Sequence, residues 1–223
     1  LVDDEDEALL AQIQEKAEIV DRKFKQFRLQ QTQLGGAVSG DDKAGVRDAL
    51  AILTDELNKY LAADYGVDTT KPRKYQQWLQ SHQPFHWFAE FYGIMADGGF
   101  DVIIGNPPYI SSAKVRREYD VSGYATAGCS DIYAWCLERV SQLGSGRVRT
   151  GMIVPLSLTF SGDFATLRTL LFGAYDGNWF SSFGRIPSAL FSYDVRVRNT
   201  IHIASRSGHA DGNHTTRLHR WFD

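Results

Sequence analysis

Apolar residues recur at Leu10, Ile13, Ala17, Val20, Phe24 and Phe27 in steps of three and four, the spacing that lines one face of an α-helix. After Gly35-Gly36 and the capping candidates Ser39, Asp41 and Asp42, the same spacing returns at Val46, Leu50, Leu53, Leu57 and Tyr60. The two stripes predict a helical hairpin whose apolar faces pack on each other. Between Gly66 and Lys74 the pattern lapses, and Pro72 with its basic neighbours predicts a linker or turn. A third helix is predicted from Pro84 through Phe85, Trp87, Phe88 and Tyr92, with the proline in the first turn, where its missing N–H costs nothing. Gly98-Gly99 ends it, and the period then changes. Phe100-Asp101-Val102-Ile103-Ile104-Gly105 is a short β-branched apolar run, the mark of a buried strand. Downstream the spacing predicts a helix over 131–143, a strand over 148–154, a helix over 163–172 and strands over 178–183 and 195–204. The last strand sets Val195, Val197, Asn199, Ile201 and Ile203 on one face. Strands alternating with helices predict an α/β sheet.

Composition changes this picture little. The 223 residues are 43% hydrophobic and 23% charged, which fits a soluble globular chain of one or two domains and excludes disordered, collagen-like and membrane-spanning classes. No apolar run is long enough for a membrane span, and the acidic stretch Asp3-Asp4-Glu5-Asp6-Glu7 is the opposite of a basic leader. Two cysteines, Cys129 and Cys136, fit a reducing cytoplasm rather than a disulfide scaffold. Charge is lopsided: residues 1–110 carry 11 Lys and Arg against 18 Asp and Glu, and residues 111–223 carry 13 against 9. The second half is the side suited to a polyanion, although this excess is far from a concentrated basic footprint. The start at Leu1 and only two methionines point to a piece of a longer polypeptide.

The candidate chemistry sits directly after the 100–105 strand, at Asn106-Pro107-Pro108-Tyr109. Two successive prolines fix φ and remove two N–H donors, so the turn is stiff and its carbonyls face outward as acceptors. In an open α/β sheet, ligands sit at the carboxyl ends of the strands. The Asn106 side-chain oxygen and the Pro107 carbonyl are placed to accept both protons of one –NH₂ group, and Tyr109 supplies a flat face for stacking. An exocyclic amine held this way loses conjugation with its ring and gains the lone pair it needs to attack an electrophilic methyl group. The bland alternative is a tight loop after a strand.

The run Gly98-Gly99-Phe100-Asp101-Val102-Ile103-Ile104-Gly105-Asn106-Pro107-Pro108-Tyr109-Ile110 resembles the catalytic signature of the adenine-specific (N6) DNA methyltransferases, in particular the large type IIG restriction–modification enzymes. The likeness continues through Asp131-Ile132-Tyr133-Ala134-Trp135-Cys136-Leu137-Glu138-Arg139, Gly151-Met152-Ile153-Val154-Pro155, Phe164-Ala165-Thr166-Leu167-Arg168 and Leu190-Phe191, covering about residues 84–206. The resemblance implies methyl transfer from S-adenosylmethionine to a base flipped out of the duplex. It implies Asn106, Pro107, Pro108 and Tyr109 as catalytic residues, with Asn106 and Pro107 also beside the cofactor and Tyr109 and Phe191 stacking on the base. Trp135 falls next to the position that holds the cofactor's adenine in the family, where Cys136 stands here.

No glycine-rich loop after a strand precedes Asn106, so the main cofactor-binding loop is missing. The expected architecture is therefore α/β, a partial Rossmann-like class I methyltransferase sheet with an N-terminal helical hairpin inserted at 1–74 and the second half of the catalytic domain at 75–223. Taken alone, such a piece is expected to be inactive. Its expected partners are double-stranded DNA, an upstream half of the same polypeptide and a target-recognition domain, in the cytoplasm of a bacterium or archaeon and away from membranes. The tetrapeptide also suits an RNA adenine or a protein glutamine amide, and the hairpin leaves open a non-catalytic interaction module. The five-residue spacing of His209, His214 and His219 does not align them, so no metal site is expected, and Asp21-x-Lys23 and Asp41-x-Lys43 are not on strands as a nuclease signature requires. Arg147, Arg149, Arg185, Arg196, Arg198 and Arg206 are spread through the basic half, each expected on a solvated face unless it meets a phosphate.

Overall fold

The computed structural model describes residues 11, 13–22, 25, 40–119, 121, 123–191, 197–209 and 211–220. They form two compact units, Leu1–Asp97 and Gly98–Asp223. The stretch 75–97, which the sequence pattern groups with the sheet, packs in the helical unit.

In the first unit, helix α1 (13–22) is followed by α2 (Gly40–Asp64). The two stripes meet as predicted: Ile13, Ala17 and Val20 share a buried cluster with Leu53, flanked by Leu50 and Leu57. Lys16 pairs with Glu56 across the same contact. Leu10, Phe24 and Phe27 lie outside the described residues. The linker expected at 66–74 is shorter than the pattern suggests, because Pro72 is the first residue of a helix, α3 (Pro72–His82). A proline at that position is preorganised for the helical φ, and Tyr75, Trp78, Leu79 and His82 then fall on one face. Tyr75 and Trp78 are buried with Ala62, and Trp78 stacks on His82 with centroids 5.3 Å apart.

The single helix expected from Pro84 is instead two short turns, α4 (Trp87–Glu90) and α5 (Tyr92–Ala96), separated at Phe91, whose φ of −128° and ψ of 37° leave the helical region. Aromatic side chains lose rotamer freedom in a helix. Here Phe85 meets Trp87 edge-on at 5.0 Å, a pairing two positions apart that a continuous helix forbids.

The second unit is α/β, as expected. Strand β1 (Phe100–Gly105) leads to α6 (Tyr133–Leu143), β2 (Gly144–Pro155), α7 (Ser157–Phe160), α8 (Ala165–Ala174), β3 (Gly177–Phe183), β4 (Asn199–Ser205) and β5 (Gly212–Thr215). The sheet order is β1-β2-β4-β3-β5. Strand β1 is parallel to β2, β4 runs antiparallel to both its neighbours, and β5 is parallel to β3. Strand β5 has no apolar periodicity to announce it, since all four of its residues are exposed; backbone pairing to β3 and the stacking of His214 on Trp179 at 5.8 Å hold it.

Tyr133, Ala134 and Leu137 of α6 and Leu167 and Leu171 of α8 form the core with Val148, Met152, Val154, Phe180 and Ala204 of the sheet. The alternation predicted for the last strand is present in β4, but Ile203 is 49% exposed while His202 and Ala204 on the other face are buried. Val195 lies outside the described residues. Ile104 is 79% exposed, and β1 pairs only with β2 among the described residues, so it is a sheet edge with apolar side chains outward.

Burial of His202 has a measurable consequence. Its ring stacks on Phe180 at 4.7 Å, and Nε2 lies 2.9 Å from the Asn178 side-chain oxygen, to which it donates. Burial pushes its pKa down from 6.5 to about 4. The unfolded chain takes up this proton near 6.5 and the folded chain not until about 4, so in that window the unfolded state binds more protons and stability rises with pH. Acidification from pH 7 to 4 is expected to remove on the order of 3 kcal/mol through this residue. Denaturant unfolding across that range checks it: His202→Leu should flatten the pH slope, and a slope unchanged in the variant refutes the assignment.

Candidate active site

Gly98 and Gly99 have φ of +99° and +109°, a left-handed turn that only glycine adopts without strain. A Cβ on Gly99 would run into the Leu143 carbonyl oxygen and the backbone of Gly144 and Ser145, so the chain enters β1 pressed against the end of α6. After a register shift between Phe100 and Val102, β1 pairs with β2 from Val102↔Arg149 to Gly105↔Met152. Asn106-Pro107-Pro108-Tyr109 follows at the carboxyl end of the parallel pair, with Asn106 and Pro108 exposed and Tyr109 half-buried.

The tetrapeptide is tied down by its last residue. The Tyr109 hydroxyl lies 2.7 Å from Asn106 Oδ1 and 2.9 Å from the Ile153 carbonyl oxygen, both acceptors. It accepts from Asn199 Nδ2 at 3.2 Å. Three segments distant in sequence, the loop after β1, the end of β2 and the start of β4, thus converge on one phenol oxygen. Burial raises the Tyr109 pKa above the usual tyrosine value against the opposing hydrogen bond from Asn199, so the hydroxyl keeps its proton at neutral pH. Asn199 is fully buried, and its Oδ1 has no partner among the described residues.

Past Tyr109 the chain is clamped to the approach to α6. The Asp131 carboxylate accepts from the Ile110 and Tyr133 backbone N–H groups at 3.1 and 3.2 Å, and the Ser112 N–H donates to the Ser130 carbonyl at 2.9 Å. Burial raises the Asp131 pKa, partly offset by these backbone donors. Further along α6, buried Glu138 accepts from the Ala125 and Thr126 N–H groups and from the Thr126 hydroxyl at 2.6–2.9 Å, closing the turn that precedes the helix.

The structure brings Asn106, Pro107, Pro108 and Tyr109 into one turn but does not gather every candidate there. Trp135 belongs to the core; it is 9% exposed and its Nε1 donates to the Thr126 carbonyl at 3.1 Å. Phe191 is half-buried in the β3–β4 connection, and no ring contact or hydrogen bond joins it to Tyr109. His209, His214 and His219 make separate local contacts, and the described residues contain no cluster able to hold a metal. Burial raises the thiols of Cys129 and Cys136, which keeps both protonated and unreactive. Arg206 points inward to backbone carbonyls rather than onto a solvated face; Arg196 lies outside the described residues. Three partners of the turn were not singled out from sequence: Asn199, the Ile153 carbonyl and the Asp131 carboxylate. A polar residue in an otherwise apolar alternation was the available signal for Asn199; a carbonyl gives none.

A family model described as Eco57I restriction-modification methylase matches residues 16–184. A protein of Methanocaldococcus jannaschii named as a type II restriction enzyme and methyltransferase is 31% identical over 107 residues, which is 48% of this chain and 9% of that protein. The chain therefore spans under a tenth of that relative. Among solved structures, a cryo-electron microscopy structure of a DrdV–DNA complex matches 54% of the chain and 14% of its own at 15% identity and a TM-score of 0.42. A protein of Listeria monocytogenes named as a class I S-adenosylmethionine-dependent methyltransferase matches 55% of the chain and 37% of its own at 16% identity and a TM-score of 0.37. At these scores neither structural likeness bears on function. No helix among the described residues is long and apolar enough to cross a membrane.

Proposed function

The chain belongs to the Eco57I restriction-modification methylase family, and from that premise we propose that it carries the catalytic turn of a DNA methyltransferase acting on the N6 amine of an adenine flipped out of the duplex. The observation that carries the reading is the exposed Asn106 amide at the carboxyl end of β1, held by the Tyr109 hydroxyl. Pro107 and Pro108 have no N–H, so this side of the turn offers acceptors only, which suits a group that arrives with two protons and no acceptor need.

Asn106 Oδ1 and the Pro107 carbonyl take the two N–H bonds of the amine and turn its lone pair out of the ring. Tyr109 presents a ring face to the base, and Phe191 is the second aromatic proposed beside it. N6 is paired inside the stack, so the base leaves the helix first. S-Adenosylmethionine, when bound, supplies an electrophilic methyl group on a positively charged sulfur. The residues present fit its reactive end only: upstream of β1 the described residues are helices and turns, with no strand-borne glycine loop to hold its methionine and ribose. Trp135, closed into the core, is assigned to holding α6 rather than to the cofactor. Double-stranded DNA is the proposed partner, together with an upstream half of the same polypeptide and a target-recognition domain.

The test is product identity. The intact enzyme, given methyl-labelled S-adenosylmethionine and DNA, is expected to place the label in N6-methyladenine after digestion to nucleosides. Label appearing instead in cytosine, in RNA or in glutamine of a protein substrate overturns the adenine assignment.

A further inference from the structure

We infer that Asn199 is a positioning residue for methyl transfer, acting on Asn106 through the hydroxyl of Tyr109; the inference rests on the proposed use of Asn106 as the amine acceptor. One phenol proton faces two acceptors, Asn106 Oδ1 at 2.7 Å and the Ile153 carbonyl at 2.9 Å. Asn199 Nδ2, 3.2 Å away, is the donor in the group and occupies a lone pair of the phenol oxygen. That donation turns the O–H outward to the two acceptors and keeps Tyr109 from rotating toward β4.

The arrangement answers a difficulty in the chemistry. In the empty site, Asn106 needs a partner to hold its amide with Oδ1 in one place. When the amine enters, the same oxygen has to be given up to it at least in part. A hydroxyl with a second acceptor within reach does both: it holds Oδ1, then shifts its proton to the Ile153 carbonyl as the amine's N–H arrives, and no buried proton is stranded. The Ile153 carbonyl is available because it lies one residue past the last β1–β2 pair, Gly105↔Met152, where Pro107 and Pro108 bring no N–H to it.

Stability does not explain the residue. Asn199 is 0% exposed, lies in register between Pro155 and Phe183, and leaves its own Oδ1 buried without a partner among the described residues. An unpaired buried carbonyl oxygen is a cost that an apolar side chain of the same size does not carry. A locally unfavourable choice with a hydrogen bond aimed at the catalytic turn is the pattern of a residue kept for positioning.

The test uses Asn199→Leu in the intact enzyme, alone and with Tyr109→Phe. Asn199→Leu is expected to unfold at the same or a higher temperature, to keep KM for its substrate within about threefold and to lower kcat about ten- to hundredfold, the scale of a misplaced catalytic group. In the Tyr109→Phe background, itself slowed, the Asn199 substitution is expected to add nothing further, because the path through the hydroxyl is already gone. Effects that multiply in the double variant, or a loss of kcat that tracks a loss of thermal stability, overturn the inference. Should Asn199→Leu not fold, Asn199→Val reads the same cycle. A second measurement does not depend on which amine is methylated: NMR titration of ring-labelled tyrosine is expected to show the Tyr109 midpoint rising in Asn199→Leu, since a donor to the phenolate is lost. A midpoint that stays put overturns the inference, whereas a midpoint that rises in an enzyme that methylates no adenine overturns the functional reading alone.

Discussion

Asn106→Ala is expected to lower kcat for methyl transfer by at least about a hundred- to a thousandfold while leaving KM for DNA within about threefold. The side chain is exposed, so its removal leaves no cavity, and among the described residues its Oδ1 meets the Tyr109 hydroxyl alone, which keeps the Ile153 carbonyl as an alternative partner. The fold therefore has no reason to suffer. On the proposed function, what goes is one of two acceptors aimed at an amine whose nitrogen gains positive charge as it attacks. Preorganised groups facing developing charge are each worth about a hundred- to a thousandfold in rate, because they act without reorganisation in a site that excludes water. Phosphate and sugar contacts, which carry much of DNA affinity, do not pass through this oxygen on that reading. Steady-state kinetics on a short duplex separate the two parameters. A kcat within about threefold of the parent's removes Asn106 from the chemistry, and a rise in KM at constant kcat makes it a binding residue only.

The largest effect on stability is expected at Arg206. Its Nε donates to the Ala174 carbonyl at 2.8 Å, one terminal nitrogen to the carbonyls of Gly144 and Ser145 at 2.8 and 3.2 Å, and the other to Ser141 at 2.6 Å. Ser141 and Gly144 close α6 and Ala174 ends α8, so one guanidinium satisfies the final carbonyls of both helices that cover the sheet, at the ends where the helix dipoles favour a cation. Its plane also lies over the Tyr175 ring, 5.3 Å from the centroid. Arg206→Ala leaves these part-buried carbonyls to find water, and a loss of about 3–4 kcal/mol is expected from charge-assisted bonds of this kind. Arg206→Lys should recover less than half, since a point charge does not span four acceptors that a planar fork reaches at once. Urea unfolding measures both. A loss under about 1 kcal/mol in Arg206→Ala would put the residue on the surface, where the sequence pattern had left it.

The elements read most easily from sequence are those whose burial is periodic. The stripe Ile13–Ala17–Val20 and its partner at Leu50, Leu53 and Leu57 pack as their spacing predicts, and the 148–154 and 178–183 strands fall within a few residues of β2 and β3, whereas the 100–105 strand coincides with β1 but as an exposed edge rather than the buried strand its apolar run predicts. Misreadings have local causes. Pro72 reads as a breaker, although a proline serves equally well as a first helical residue, and only the Tyr75–Trp78–Leu79–His82 face separates the two. The aromatic run after Pro84 has helical spacing, yet Phe85 pairs with Trp87 two positions on, ahead of α4, and the backbone leaves the helical region at Phe91. Strand β5 has no buried side at all, so its existence depends on the free edge of β3.

For the site, the chain itself dictated the turn. A β-branched strand running into Asn106-Pro107-Pro108-Tyr109 specifies a stiff acceptor-rich corner through local constraints, namely fixed proline φ angles and missing donors, and these hold whatever surrounds them. The direction of the Tyr109 hydroxyl was not in the local sequence, because its partners come from Ile153 and Asn199, 44 and 90 residues away. Nor was the inward turn of Arg206 or the closing of Trp135 into the core, since each depends on which carbonyls and helices the folded sheet brings within reach. Backbone stiffness is a property of neighbours along the chain, whereas a hydrogen-bond partner is a property of neighbours in space, and for this protein the second kind sets how the Asn106–Tyr109 turn is aimed.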